Sequence, residues 1–241
     1  MLSVGLPKGR LLPRSEAAVA VFREGAGFHD GTSGGGSAGE PLLDARFLRM
    51  PDLPGLVAEG LLDAGIAGEE WLVESGADVV RVAPLCWYHV RICALGRPDR
   101  APDADGTEPV RVVSEYARVA RHFARARWGE GHTQRTVRGS VEHYLPDLAD
   151  VAVECVETGE SMRRRGLVVL ETLFEADVWL ICSRAAADEE TLTRLRRWAE
   201  VIAAPAPDDG PAHRRPALSA QVPSEQPLSD RFAAPALDGR R

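Results

Sequence analysis

The chain has 241 residues, 44% of them hydrophobic, enough to bury a sizeable core as one large domain or two lobes. Its formal net charge of −7 excludes a whole-chain basic footprint for nucleic acid. No apolar run reaches the length of a membrane span, and no charged stretch followed by a hydrophobic one opens the chain, so the expectation is a cytoplasmic protein without a membrane partner.

Strand and helix signals alternate. Residues 2–6 read as a short buried strand, and LPKGRL at 6–11 as a loop leading into a helix over 14–24. Residues 25–40, GAGFHDGTSGGGSAGE, form a glycine- and serine-rich flexible segment. A strand at 45–49 precedes a helix capped by Asp52, with Pro54 in its first turn and Leu53, Leu56, Val57 and Leu61 at helical spacing. Residues 63–68, DAGIAG, read as a strand, 69–75 as a helix stopped by Gly76, and 79–84 and 89–95 as two further strands. The Pro/Asp-rich stretch at 98–110 marks a boundary. Beyond it come a strand at 110–113, a helix at 116–128, a loop at 129–134, a short strand at 136–138 and a helix start at 140–144. Strands at 168–174 and 178–182 follow the 150–167 segment, and Asp188 caps a last amphipathic helix with Leu192, Leu195, Trp198 and Ile202 on one face. From 204 to 241 the chain is rich in Pro, Ala, Asp and Arg without periodicity and reads as a disordered tail.

This alternation predicts an α/β protein with mainly parallel sheets and ligands beyond the strand C-termini. The break near residue 100 predicts two lobes with a cleft: lobe I from 1–97 plus 178–203, lobe II from 98–177. The four cysteines (Cys86, Cys93, Cys155, Cys182) show no metal-type spacing and each sits in an apolar, strand-like context, as buried free thiols in a reducing compartment do. The six histidines are scattered singly and form no ligand pair. Of the 29 basic residues Lys8 is the one lysine. A compact ammonium kept in so arginine-rich a chain points to a point-charge role on phosphate, beside the plain reading of a surface lysine.

The most informative stretch is 150–167, DVAVECVETGESMRRRGL. An apolar run passes into Glu157-Thr158-Gly159-Glu160-Ser161 and then into a helical pattern. Strand, glycine turn and helix start in that order present unpaired backbone N–H groups to an anion, with Thr158 and Ser161 adding hydroxyl donors and Gly159 permitting close approach. The carboxylates Glu154 and Glu157 repel a bare phosphate and fit ribose hydroxyls, or a Mg²⁺ carried with a pyrophosphate. The physics alone suggests a sugar phosphate; a plain strand–turn–helix corner is the alternative. The Arg163-Arg164-Arg165 run reads as a charged helix turn near an anionic ligand.

Four stretches taken together, LPKGRL at 6–11, RMPDLPGLVAEGLLDAGIAGEEWL at 49–72, RVVSEYARVARHF at 111–123 and GSVEHYLPDLADVAVECVETGESMRRRGL at 139–167, resemble the ATP phosphoribosyltransferase family, in order and spacing, over residues 1–203. The resemblance implies a two-lobed, type II periplasmic-binding-protein-like fold. It also implies condensation of ATP with phosphoribosyl pyrophosphate to N1-(5-phosphoribosyl)-ATP and pyrophosphate, with Mg²⁺ accompanying the pyrophosphate. The family's phosphoribosyl loop falls on Glu154, Glu157, Thr158, Gly159, Glu160, Ser161 and Met162. Its N-terminal basic loop falls on Lys8 and Arg10, and its nucleotide-side residues on Arg49, Ser114, Glu115 and Tyr116. Catalytic roles are expected of Lys8, Arg10 and Glu154. With no regulatory domain legible after residue 203, the likeness is to the short form, which works with a histidyl-tRNA-synthetase-like regulatory subunit. The family also implies a homo-oligomer, for which apolar positions around Trp71 and Trp87 are available.

The chain departs from the family pattern in places. Glu154 stands where aspartate is usual, Ser161-Met162 replaces Thr-Leu, and Arg164-Arg165-Gly166-Leu167 replaces Ala-Asn-Gly-Leu. Ala117 replaces a usual proline, and residues 25–44 replace a short ordered stretch beside the nucleotide. These leave two other readings: a same-family enzyme in a purine-derived nucleoside natural-product pathway, and a non-catalytic nucleotide-binding module.

Overall fold

In the computed structural model, described here for residues 1–23, 43–100, 102 and 108–203, eight strands and six α-helices form two compact units. The glycine-rich segment at 25–40 and the tail at 204–241 lie outside the described residues. Unit 1 takes in Met1–His89 and residues 176–203; unit 2 is Val90–Glu175.

Unit 1 is built on β1 (Leu2–Pro7), β2 (Leu43–Leu48) and β3 (Ala64–Gly68). β1 pairs in parallel with both β2 and β3, so all three strands end at the same edge, at Pro7, Leu48 and Gly68. β3 pairs antiparallel with the end of a long strand, β8 (Val168–Cys182). α1 (Leu12–Arg23) follows a 3-10 turn at Gly9–Leu11, and α2 (Leu53–Ala58) follows another at Met50–Asp52. α3 is Glu69–Ser75, and α6 is Glu189–Ile202. Leu53, Val57, Leu62, Ala67, Leu72 and Ile181 make one core cluster. α6 seats Trp198 on α1: the indole N–H donates to the Ala18 carbonyl at 3.0 Å and the ring meets Phe22 edge-on at 5.4 Å.

Unit 2 holds β5 (Val110–Ser114), β6 (His132–Thr136) and β7 (Val151–Val156), with β5 parallel to both others, plus the end of β4 (Val80–Gly96) antiparallel to β7. α4 (Ala117–Trp128) follows β5, and α5 (Glu160–Arg164) follows β7. Cys93, Leu95, Val113, Val141, Ala152 and Val156 are among the residues of its core.

Several sequence expectations change. The pairs 79–84 with 89–95, and 168–174 with 178–182, are single long strands, β4 and β8. β4 runs on through Pro84 and through Cys86, whose φ of 54° is left-handed. The strand expected at 136–138 lies at His132–Thr136, in a polar segment without the alternation that marks a half-buried strand. α2 stops at Ala58 before Leu61, and the Asp52 side chain makes no capping bond there because Asp52 already has helical dihedrals. Asp188 does cap α6, accepting from the Thr191 N–H at 2.7 Å. Cys86 is exposed; Cys93 and Cys182 are buried and Cys155 half-buried, and none of the four is in a disulfide. Trp87 is 1% exposed with its N–H donating to the Ile202 carbonyl at 2.9 Å, so it is a core residue of unit 1 and offers no surface for a subunit contact. No helix among the described residues is long and apolar enough to cross a membrane.

Candidate functional site

In unit 2 the phosphoribosyl-loop residues follow β7 directly. The strand ends at Val156, Glu157 and Thr158 are exposed, and Gly159 turns the chain with φ 71° into α5. That left-handed backbone suits glycine, and a Cβ there would sit 3.3 Å from both the Arg163 Nη1 and the Met162 Cε. The Glu160 N–H reaches the Thr158 hydroxyl at 3.4 Å, and the Arg163 N–H closes the first helical turn on the Gly159 carbonyl at 3.1 Å. Ser161 is exposed, while Met162 packs on the core. The turn thus leaves the Thr158 and Ser161 side chains exposed at the end of β7, where a helix start follows. The basic run is divided: Arg164 pairs with Glu160, Arg165 Nη2 donates to the His143 Nε2, and Arg163 stays beside Gly159.

Glu154, two residues before the strand end, is half-buried and takes the Cys155 N–H at 2.8 Å. Burial pushes its carboxyl up to about 7, against the pull of the Cys155 N–H and with the help of the Glu142 and Glu115 charges. The group therefore changes protonation near neutrality. Ser114 and Tyr116, at the end of β5, are buried. The Ser114 hydroxyl donates to the Val153 carbonyl at 2.7 Å and accepts from the Tyr116 N–H at 2.8 Å. Ser114 was expected to contact nucleotide; with its side chain sealed and both bonds spent inside the protein, it braces the loop instead. Glu115 between them is half-buried.

In unit 1 the three candidate cations leave the shared edge of β1, β2 and β3. Lys8 is exposed at the end of β1, its N–H held by the Leu48 carbonyl at 2.9 Å. Arg49 follows β2 and is exposed. Arg10, one turn past Lys8, lays its guanidinium over the Tyr88 ring, 4.7 Å from the centroid, a cation–π contact. The Tyr88 hydroxyl donates to Glu70 Oε1. Glu70 is 3% exposed, and its second oxygen has no hydrogen-bond partner. Burial raises this carboxyl to about 7, opposed by the Tyr88 bond, a backbone bond and the Arg10 charge, and aided by Glu69. Sequence reasoning missed Glu70 and Tyr88. The signal was there: an acidic pair directly after the small-residue strand AGIAG, and a tyrosine inside an apolar strand.

A separate cavity of about 430 Å³ lies on β5 and β6, lined by Arg111, Val113, Gln134, Arg135 and Leu148 among others. Its lining includes no residue of the Thr158-Gly159 turn.

A sequence model of the family described as HisG: ATP phosphoribosyltransferase matches residues 49–203. The chain belongs to this family. Curated relatives named ATP phosphoribosyltransferase agree with that membership. The one from Chlorobaculum parvum is 30% identical over 195 residues, covering 77% of this chain and 65% of the relative. That from Pelotomaculum thermopropionicum is 31% identical over 184 residues, 73% and 62%. The chain thus spans about 65% of the length of the family members it matches. A solved structure, the ATP phosphoribosyl transferase (HisG:HisZ) complex from Thermotoga maritima, superposes with a TM-score of 0.67 at 21% identity, covering 84% of this chain and 98% of that one. It shares the fold, the periplasmic-binding-protein-like α/β arrangement that the sequence implied.

Proposed function

We propose that the chain condenses ATP with phosphoribosyl pyrophosphate, giving N1-(5-phosphoribosyl)-ATP and pyrophosphate. The observation that carries this reading is the Thr158-Gly159 turn, with an exposed Thr158 ahead of a buried Gly159, set at the end of β7 inside the family match. The comparisons lend no support to the specialised-pathway or non-catalytic readings.

Adenine N1 attacks ribose C1 as the C1–O bond breaks, and the bonding pair leaves with pyrophosphate. N1 already carries a lone pair, so little general-base help is required. The barrier lies in separating pyrophosphate from an oxocarbenium-like ribose, which calls for alignment of the reactants and for charge stabilisation on the leaving group. In this reading the Glu157–Met162 backbone, with Thr158 and Ser161, holds the 5′-phosphate. Glu154 accepts from ribose hydroxyls. Lys8 and Arg10 meet the pyrophosphate, and Arg49 and Glu115 face ATP, with Ser114 and Tyr116 shaping the loop. The exposed Glu157 carboxylate is an oxygen donor of the type Mg²⁺ prefers and would help hold that ion, which would supply charge neutralisation to the pyrophosphate.

A HisZ-type regulatory subunit and a homo-oligomeric state belong to the same proposal, supported by the complex named for the Thermotoga structure and by family membership. Complementation tests the pathway. Expression in a strain lacking its ATP phosphoribosyltransferase, with and without a HisZ-type subunit, should restore growth without histidine in at least one arm. Failure of both arms with protein present contradicts the histidine-pathway assignment.

A further inference from the structure

Glu70 is an expensive residue to keep. Its carboxyl is buried in unit 1, one oxygen bonded to Tyr88 and the other without a partner. A buried acceptor left unpaired costs stability, and an apolar side chain of similar size would remove that cost. The backbone makes room for it: a Cβ at Gly68 would fall within contact distance of the Tyr88 hydroxyl and of both Glu70 oxygens. The Gly68 N–H in turn donates to the sulfur of Met50 at 3.0 Å, next in the chain to Arg49. So the carboxyl–phenol pair, Glu70 of α3 and Tyr88 of β4, packs over Gly68 at the end of β3 with Arg10 on the Tyr88 ring, and Gly68 anchors the segment that bears Arg49.

We propose that Glu70 and Tyr88 are a positioning pair: their hydrogen bond fixes the Tyr88 ring, and the ring seats the Arg10 guanidinium for the diphosphate of phosphoribosyl pyrophosphate. The proposal rests on the reading of Arg10 given above. Neither residue touches substrate in this scheme. An arginine side chain on a surface loop samples many rotamers, and ordering it at the moment of binding weakens affinity. A ring whose hydroxyl is tied to Glu70 orders it beforehand. The pair should therefore act on phosphoribosyl pyrophosphate and leave ATP binding alone.

The test is a steady-state comparison of wild type, Tyr88→Phe, Glu70→Gln, Arg10→Ala and the double variant Arg10→Ala/Tyr88→Phe, with KM measured separately for the two substrates. Tyr88→Phe keeps the ring and removes the one atom that ties it to Glu70. It should raise KM for phosphoribosyl pyrophosphate about tenfold and change KM for ATP less than about twofold. Glu70→Gln keeps an acceptor for the phenol and should stay within about threefold of wild type. Adding Tyr88→Phe to Arg10→Ala should cost nothing more. A damaging Arg10→Ala with a silent or additive Tyr88→Phe, or an equal rise in both KM values, overturns the proposal while leaving the reading of Arg10 standing. A silent Arg10→Ala overturns both.

Discussion

The Ser114 hydroxyl donates to the Val153 carbonyl at 2.7 Å, tying the C-terminal end of β5 to the middle of the parallel strand β7. It also accepts the N–H of Tyr116, the residue that opens α4. One side chain therefore fixes β5 and β7 at the edge from which Glu115 and the Glu157–Gly159 turn emerge. Ser114→Ala leaves the buried Tyr116 N–H without its acceptor and should cost about 2 kcal/mol. Chemical denaturation should show a lower midpoint with an unchanged slope.

Gly159→Ala tests the turn itself. Alanine pays about 1–2 kcal/mol at a left-handed φ, and its Cβ would press on the Arg163 and Met162 side chains at 3.3 Å. The turn must shift while the strand beneath it stays. KM for phosphoribosyl pyrophosphate should rise about tenfold, with KM for ATP nearly unchanged, read by varying each substrate in turn.

Glu154 sets a pH dependence of stability. Its carboxyl is raised in the folded state to about 7, so between the ordinary carboxylate range and pH 7 the folded protein binds more protons than the unfolded chain. That contribution to stability is fully present below pH 4.5 and is lost as the pH climbs through about 7. The groups that face it are the Cys155 N–H, Glu142 and Glu115. Glu154→Gln should flatten the fall in stability between pH 5 and 7.5 measured by thermal unfolding. A steeper fall in the variant would show that the carboxyl is not held up by burial.

Much of the fold was legible because period and punctuation agree. The buried strands β1, β3, β5 and β7 are short apolar runs, and α4 and α6 carry apolar stripes. β6 was misplaced because HTQRT has no apolar face to announce a strand, and β4 and β8 were each read as two because Pro84 and the acidic Glu175-Ala-Asp177 stretch look like breaks. The Thr158-Gly159 turn was legible as a local pattern, since strand, glycine and helix start are contiguous in sequence. The Arg10–Tyr88–Glu70 arrangement was not. Its members lie 18 and 60 positions apart or more, and only the tertiary fold of unit 1 brings the turn after β1, α3 and β4 together.

Lys8 is the chain's one lysine, exposed just past the end of β1 with its backbone N–H bonded to the Leu48 carbonyl. As a point charge on the leaving pyrophosphate it should matter to turnover more than to folding. Lys8→Ala should lower kcat about 100-fold with an unaltered melting temperature, and Lys8→Arg should not restore it.

The central claim is that this chain joins ATP to phosphoribosyl pyrophosphate. The direct measurement is to incubate the purified full chain, alone and with a HisZ-type subunit, with both substrates and Mg²⁺, following the absorbance of the N1-substituted adenine and the release of pyrophosphate. The account predicts that the two signals rise together in equal amounts, require both substrates, and fall with Lys8→Ala. Pyrophosphate release without the adenine signal, or silence in both arms while the chain binds ATP, would contradict it.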